Sequence, residues 1–384
     1  MKILINTSNL YVGGGVHVAL SFINELKHFN EARKYYIFLS QATNKHIEPK
    51  TFPDNFHFYF IENSPAPLKT RKKIVEKLDS LEAQIKPDMV FTIFGPSYWR
   101  PKAKHLLGVA DGWVYNPDSV AYDRLPFLKR IKMRLHVNYK IHYLKRDAEY
   151  YVLETLDAKK KLAQTVSLNE DNIFVVGNTY SSIFDDENFT KEENEFYINL
   201  PEKDEDEFRL MYIAHNHVNK NLKIINDLLP LLEDYNIKFV LTLDETSFKN
   251  LFPKKTDKII NLGPIPQKSC PSVYKQCDAL FAPTLLETFS AAYPEAMKME
   301  KPILTSEYSF AKDICEDAAL YFDPFEPEDI VQKIKLLGSD RKMQEKLIEK
   351  GKERFKHFET ARSRAEKYID ICEKIIDDDQ GLIC

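Results

Sequence analysis

Ala279-Leu-Phe-Ala-Pro-Thr-Leu-Leu-Glu287-Thr-Phe-Ser290-Ala-Ala-Tyr-Pro-Glu295-Ala-Met-Lys298 is the stretch that decides the fold. Its first four residues are apolar, the length of a buried strand, and its last residues suit a helix. Between them lies a loop holding Glu287, and Glu295 follows eight positions on. With a helix beginning near Ser290, Glu287 precedes its positive end while Glu295 lies inside it. The two acids then cannot stand side by side as a glycosidase pair does, so their tasks must differ.

The same strand, loop and helix pattern repeats in both directions. Upstream, Arg209 to Ala214, Lys238 to Leu243 and Ile259 to Leu262 read as strands, and Pro302 to Thr305 follows downstream. The front of the chain has its own set: Lys2 to Asn6, Tyr35 to Leu39, Phe56 to Ile61, Met89 to Ile93, Leu106 to Val109, and the runs near 150 and 173. Strands alternating with helices predict mostly parallel sheets. The expected fold is therefore α/β, with two doubly wound, Rossmann-like domains facing across a cleft. Residues 1–180 are expected to form the first and residues 181–355 the second, with residues 356–384 packing back on the first as a helix. The polar stretch Asp185 to Glu207 reads as a hinge, and Glu328 to Ile376 as one long helical segment.

Length supports two cores, since 384 residues exceed one ordinary domain. No run approaches the ~20 apolar residues of a spanning helix, and the first residues lack a signal-peptide pattern, so a cytoplasmic setting is expected. The five cysteines form no CxxC pair and read as reduced thiols. Charge is uneven: residues 1–180 carry +8 and the remainder −12. One domain is thus suited to an anionic surface.

In such folds ligands bind beyond the carboxyl ends of the strands. Gly13-Gly14-Gly15 opens a helix after the first strand, where free amides and small residues allow a phosphate or sugar to approach, although glycines there also serve simple turn chemistry. It is not GxGxxG, which counts against a dinucleotide dehydrogenase. After the strand at Ala214 come His215 and Lys220, the lysine placing a cation where the next helix begins and where a diphosphate leaving group needs it. A solvated lysine and loop histidines are the plain alternative. Amides near Phe289 and Ser290 can meet a phosphate, Glu295 ribose hydroxyls, and Glu287 the hydroxyls of a transferred sugar. No Asp-x-Asp follows a strand, so no metal site and no cofactor is expected, only a nucleotide-diphosphate sugar as substrate.

These landmarks resemble the retaining glycosyltransferases of family four, which have the GT-B fold. The Glu287 to Glu295 spacing matches the family's signature. Val175-Val-Gly-Asn178, Lys220-Asn-Leu222, Asn261-Leu-Gly-Pro264, Lys301-Pro-Ile-Leu304 and Phe310 to Pro324 agree in order. The resemblance implies Lys220 on the donor diphosphate, Glu295 on ribose, Glu287 on the sugar, and backbone at Pro264 and Ile265 on the base. It implies retention of configuration by front-face attack, without an enzyme nucleophile, in making a cell-surface glycan such as lipopolysaccharide. The chain departs from the pattern at His215, where many members have Arg, at Ala110-Asp111, where many have His-Asp, and at Thr288 and Ser290, where many have glycines. Asp111 is a catalytic candidate and equally the start of a turn.

Leu128 to Arg146 interleaves seven Lys and Arg with apolar residues, and Lys69 to Lys77 forms a second basic cluster. Such helices lie on anionic lipid or are simply solvated. With the resemblance, the expected partners are a nucleotide-sugar donor, a saccharide or lipid-linked acceptor, and an anionic membrane surface. Nucleic acid fits poorly, because the chain is acidic overall. A nucleotide-sugar epimerase and a non-catalytic nucleotide-sugar binding protein are the rival readings.

Overall fold

The computed structural model describes residues 1–11, 13–29, 32–185 and 194–380, apart from the side chains of 379 and 380. The chain folds as two compact units. One comprises Met1–Pro117, Phe127–Asn178 and Glu359–Cys384, and the other Asp118–Pro126 and Thr179–Phe358. Residues 186–193 of the expected hinge, and Cys384, lie outside the described residues.

The first unit is built on seven parallel strands: β1 (Lys2–Asn6), β2 (Lys34–Leu39), β3 (Phe56–Phe60), β4 (Met89–Thr92), β5 (Lys104–Gly108), β6 (Tyr150–Leu153) and β7 (Ile173–Val175). Their order is β3-β2-β1-β4-β5-β6-β7. The second has six: β8 (Phe208–Tyr212), β9 (Ile237–Leu241), β10 (Ile259–Asn261), β11 (Ala279–Ala282), β12 (Ile303–Ser306) and β13 (Ala319–Phe322). Their order is β10-β9-β8-β11-β12-β13, all parallel. Every residue of β11 and β12 is buried, as a parallel sheet covered on both faces requires.

In each sheet the strand order reverses once, between β1 and β4 and between β8 and β11. At such a switch point the loops leaving two adjacent strands run to opposite faces and open a crevice at the carboxyl ends. The glycine loop follows β1. The segments holding Lys220 and Glu287 follow β8 and β11, which pair with Leu280 opposite Met211.

Each unit has its own core. In the first, the helix Ala361–Gln380 buries Ala365, Tyr368, Ile369, Cys372 and Ile375 against Phe22 and Phe91. These positions recur at three- and four-residue intervals, which puts them on one helical face. Tyr368 meets Phe22 edge-on with ring centroids 5.4 Å apart. Buried Arg364 holds the same helix by donating to Asn178 Oδ1 at 2.5 Å and Ser21 Oγ at 3.0 Å. The described cysteines Cys270, Cys277, Cys315 and Cys372 are free and buried.

Several expected boundaries differ. The segment after Glu328 is three helices, Pro327–Ser339, Arg341–Phe355 and Ala361–Gln380. Asp340 stops the first and caps the second by accepting the Met343 amide at 3.0 Å. Asp118–Pro126 groups with the second unit although it lies within the expected first domain. There the Arg124 guanidinium stacks 4.6 Å from the Phe325 ring centroid. The described part of the acidic stretch, 194–207, is bound to the second unit: Ile198 and Leu200 amides donate to Ser272 and Gln276 side chains.

Candidate active site

The site in the second unit begins with two loops laced together at the switch point. Beyond β8 the chain makes short turns at Val218–Lys220 and Leu222–Ile224, joined by Asn221 at φ 52°. Asparagine tolerates that left-handed conformation better than most residues. The helix expected to begin at Lys220 is thus delayed to Ile225–Leu228. Asn219 binds the loop after β11 three times: its carbonyl accepts from the Leu285 amide at 2.7 Å and the Thr284 hydroxyl at 3.0 Å, and its amide nitrogen donates to the Leu286 carbonyl at 2.8 Å.

This lacing brings Lys220 Nζ to 2.5 Å from Glu287 Oε1, and Thr284 donates to the same oxygen at 2.8 Å. The pair is largely shielded, with side-chain exposures of 20% for Lys220 and 12% for Glu287. Burial disfavours the Lys220 ammonium, but the adjoining Glu287 carboxylate and Tyr212 outweigh it and raise its pKa above the ordinary lysine value. The Tyr212 ring lies 5.6 Å from the ammonium. Burial pushes its phenol up to about 12.

Glu295 lies in the helix Ala292–Lys298, which starts two residues after the expected Ser290. The Phe289 and Ser290 amides therefore precede the helix, and Ser290 is buried with its carbonyl accepting from Tyr293 at 3.1 Å. Glu295 is partly buried, and that burial pushes its carboxyl up to about 8, against the lowering effect of the Tyr274 hydroxyl that donates to Oε2 at 3.3 Å. Glu295 thus keeps its proton to a higher pH than an ordinary carboxyl, and the protonated form can donate one hydrogen bond as well as accept.

The remaining residues of this unit are more open. His215 is exposed, its ring 6.3 Å from that of His217. Gly263, at φ 74°, turns the chain after β10 and leaves Pro264 exposed and Ile265 partly buried. A cavity of about 640 Å³ lies beside the first loop, lined by Asp123, Arg124, Asn216, His217, Lys223 and Asp227 among others.

In the first unit, Gly13 has φ 80° and ψ −164°, a conformation open to glycine, and begins the helix Gly14–Glu25. A Cβ on Gly14 would meet nothing within 4 Å, whereas one on Gly15 would lie 3.3 Å from Phe94. Gly14 therefore borders open space and Gly15 serves packing. Asp111 is doubly engaged: Oδ1 caps the helix Gly112–Tyr115 by accepting the Trp113 amide at 3.1 Å, and Oδ2 pairs with Lys140 at 2.7 Å. Among the described residues no group of three or more His, Cys, Asp and Glu is disposed to hold a metal.

Sequence reasoning did not find Asn219, Tyr212, Thr284 or Tyr274. Asn219 and Thr284 adjoin motif residues, but only the β8–β11 pairing reveals what they do. Tyr274 belongs to a separate helix, Cys270–Lys275, and nothing in its local sequence points to Glu295.

The two-unit α/β architecture is shared with solved glycosyltransferases. WaaG, a glycosyltransferase involved in lipopolysaccharide biosynthesis, superposes with a TM-score of 0.68 at 14% identity, covering 96% of this chain and 99% of that one. A glycosyltransferase from Rickettsia africae gives 0.67 at 14% identity over 98% of both chains. Anabaena Alr3699/HepE, solved with UDP and glucose, gives 0.66 at 12% identity over 97% of this chain and 100% of that one. Residues 193–354, which hold Lys220, Glu287 and Glu295, match the family model of the group 1 glycosyl transferases. No curated protein matches the chain.

Proposed function

We propose that the protein is a retaining glycosyltransferase that moves a sugar from a nucleotide-sugar donor to a saccharide or lipid-linked saccharide, in cell-surface glycan synthesis beside an anionic membrane. The observation that carries this reading is the shielded Lys220–Glu287 pair at the switch point, inside the segment that matches the glycosyl transferase model.

Without donor, Lys220 is neutralised by Glu287. An arriving diphosphate offers Lys220 more negative charge than one carboxylate does, so the ammonium turns to the phosphate and Glu287 is released toward the sugar hydroxyls. As the sugar–phosphate bond breaks, charge grows on the diphosphate, and the lysine stabilises that state more than the ground state. Exposed His215 adds a hydrogen-bond donor. Glu295 takes the ribose hydroxyls, and the backbone at Pro264 and Ile265 faces the base. The acceptor hydroxyl attacks from the side on which the diphosphate leaves, and the departing phosphate oxygen takes its proton. In the first unit, Gly14 leaves room for the acceptor or sugar. Asp111, held by Lys140 and its helix cap, orients the acceptor loop rather than acting as a free base.

The test is a panel of UDP, GDP and dTDP sugars, followed by release of nucleoside diphosphate with and without saccharide acceptors in EDTA-containing buffer. One donor is expected to turn over in an acceptor-dependent manner. Turnover equal without acceptor supports the epimerase instead, and binding without turnover supports the non-catalytic protein.

A further inference from the structure

The helix Phe127–Asp147 leaves large apolar side chains in water: Phe127 is 70% exposed, Leu128 77%, Ile131 43% and Leu135 65%. At 3.6 residues per turn these four fall within an arc of about 100°. The buried residues of the same helix, Val137, Leu144 and Asp147, cluster about half a turn away. The stripe is therefore no stray edge of the core, because it points away from the face that packs on the protein. Exposed Lys132 and Arg134 border it on opposite sides, within about 40° of its edges. From Phe127 to Arg146 the helix carries seven Lys and Arg and no Asp or Glu.

A second element extends this surface. Arg71, in the helix Leu68–Ile85, donates to the hydroxyls of Tyr139 at 2.7 Å and Tyr143 at 2.5 Å on the basic helix. The first turn of the helix Leu68–Ile85 thus lies beside the second half of the basic helix, on the first unit. Leu68, 73% exposed, and exposed Lys69, Lys72 and Lys73 lie within one turn of Arg71. Basic clusters about sixty residues apart in sequence are joined by an arginine and two tyrosines.

We infer that Phe127, Leu128, Ile131 and Leu135 insert into the interface of an anionic bilayer, with Lys132, Arg134 and the Lys69–Lys73 turn on the headgroups. This rests on the proposed association with an anionic surface and names the residues that make it. An apolar arc bordered by long cations suits such an interface, because the rings and branched chains enter the acyl boundary while the cations stay at the phosphates. A protein partner would have to supply all the negative charge, whereas anionic lipid supplies it everywhere.

The test is sedimentation of the full chain with vesicles of phosphatidylcholine alone and of phosphatidylcholine and phosphatidylglycerol in equal parts. The wild type is expected to partition at least about tenfold more strongly onto the mixed vesicles at low salt. The variant L128S/I131S/L135S is expected to lose most of that binding, and K132Q/R134Q much of its dependence on phosphatidylglycerol. These positions are exposed, so both variants should melt as the wild type does. The inference is overturned if the wild type stays in the supernatant with both vesicles, or if the serine variant binds as well as the wild type. It is overturned also if the wild type is a dimer that the serine variant makes monomeric while neither sediments, since the stripe is then a protein contact. Sedimentation needs no turnover, so donor release measured in solution reports separately on glycosyl transfer.

Discussion

Replacing Glu295 by Gln should make the protein more stable at alkaline pH while weakening its use of donor. Glutamate has an ordinary value of 4.5, and burial pushes Glu295 up to about 8. Between these values the folded protein keeps a proton that the unfolded chain has released. Stability from this group is therefore fullest below the lower value, falls as pH rises through the window, and levels off above about 8. A span of roughly 3.5 pH units sets a ceiling of about 5 kcal/mol. Glu295 is only partly buried, and water reaching it relaxes the charged form, which brings the expected cost to ~2 kcal/mol. Glutamine still accepts from Tyr274 but has no charge to desolvate. Thermal melts at pH 5.5 and 8.5 check this. The variant should melt roughly 4–8 °C higher at the upper pH and by a smaller margin at the lower one, which already lies about a unit above the ordinary glutamate value. A wild type and variant that differ equally at both pH values would refute the buried, protonated Glu295.

Donor binding should release a proton near neutral pH, because ribose hydroxyls favour the Glu295 carboxylate; calorimetry in buffers of different ionisation enthalpy reads it. Glu287→Gln should leave the Thr284 contact in place, lower kcat more than donor affinity, and cost ~1 kcal/mol in a denaturant melt through the lost pairing with Lys220. Gly13→Ala should cost ~1–3 kcal/mol through backbone strain at φ 80°, seen as a lower melting temperature. Asp111→Asn should retain the cap to Trp113 but lose the Lys140 pairing, raising KM for acceptor with little change in donor affinity; an unchanged acceptor KM would deny Asp111 its orienting role.

Much of the second unit is legible in sequence, because apolar runs such as Ala279 to Ala282 are short enough for strands and the acids follow at a set spacing. Strand order is not legible. Lys220 and Glu287 are 67 residues apart, and only the adjacency of β8 and β11 shows them as a pair rather than as two independent ligand contacts. The helix read as beginning near Ser290 starts at Ala292, and Ser290 is buried with its backbone carbonyl accepting the Tyr293 amide. The strand β13 is not read from the sequence because it comes just after charged Glu316-Asp317, with no glycine or proline to mark where a strand begins. Asp118–Pro126 gave no compositional sign that it groups with the second unit. The basic helix was visible as a charge pattern, but which of its apolar residues face water depended on the packing of Val137 and Leu144.

Calorimetric titration of UDP, GDP and dTDP into the wild type and into Lys220→Met, with EDTA present, tests the central claim most directly. One nucleoside diphosphate should bind the wild type at one site per chain, and Lys220→Met should weaken it by about 1.5–3 kcal/mol, or roughly tenfold to a hundredfold or more, through loss of a charge-assisted contact. No binding by any of the three, or equal binding by wild type and Lys220→Met, would contradict a donor site built on the Lys220–Glu287 pair.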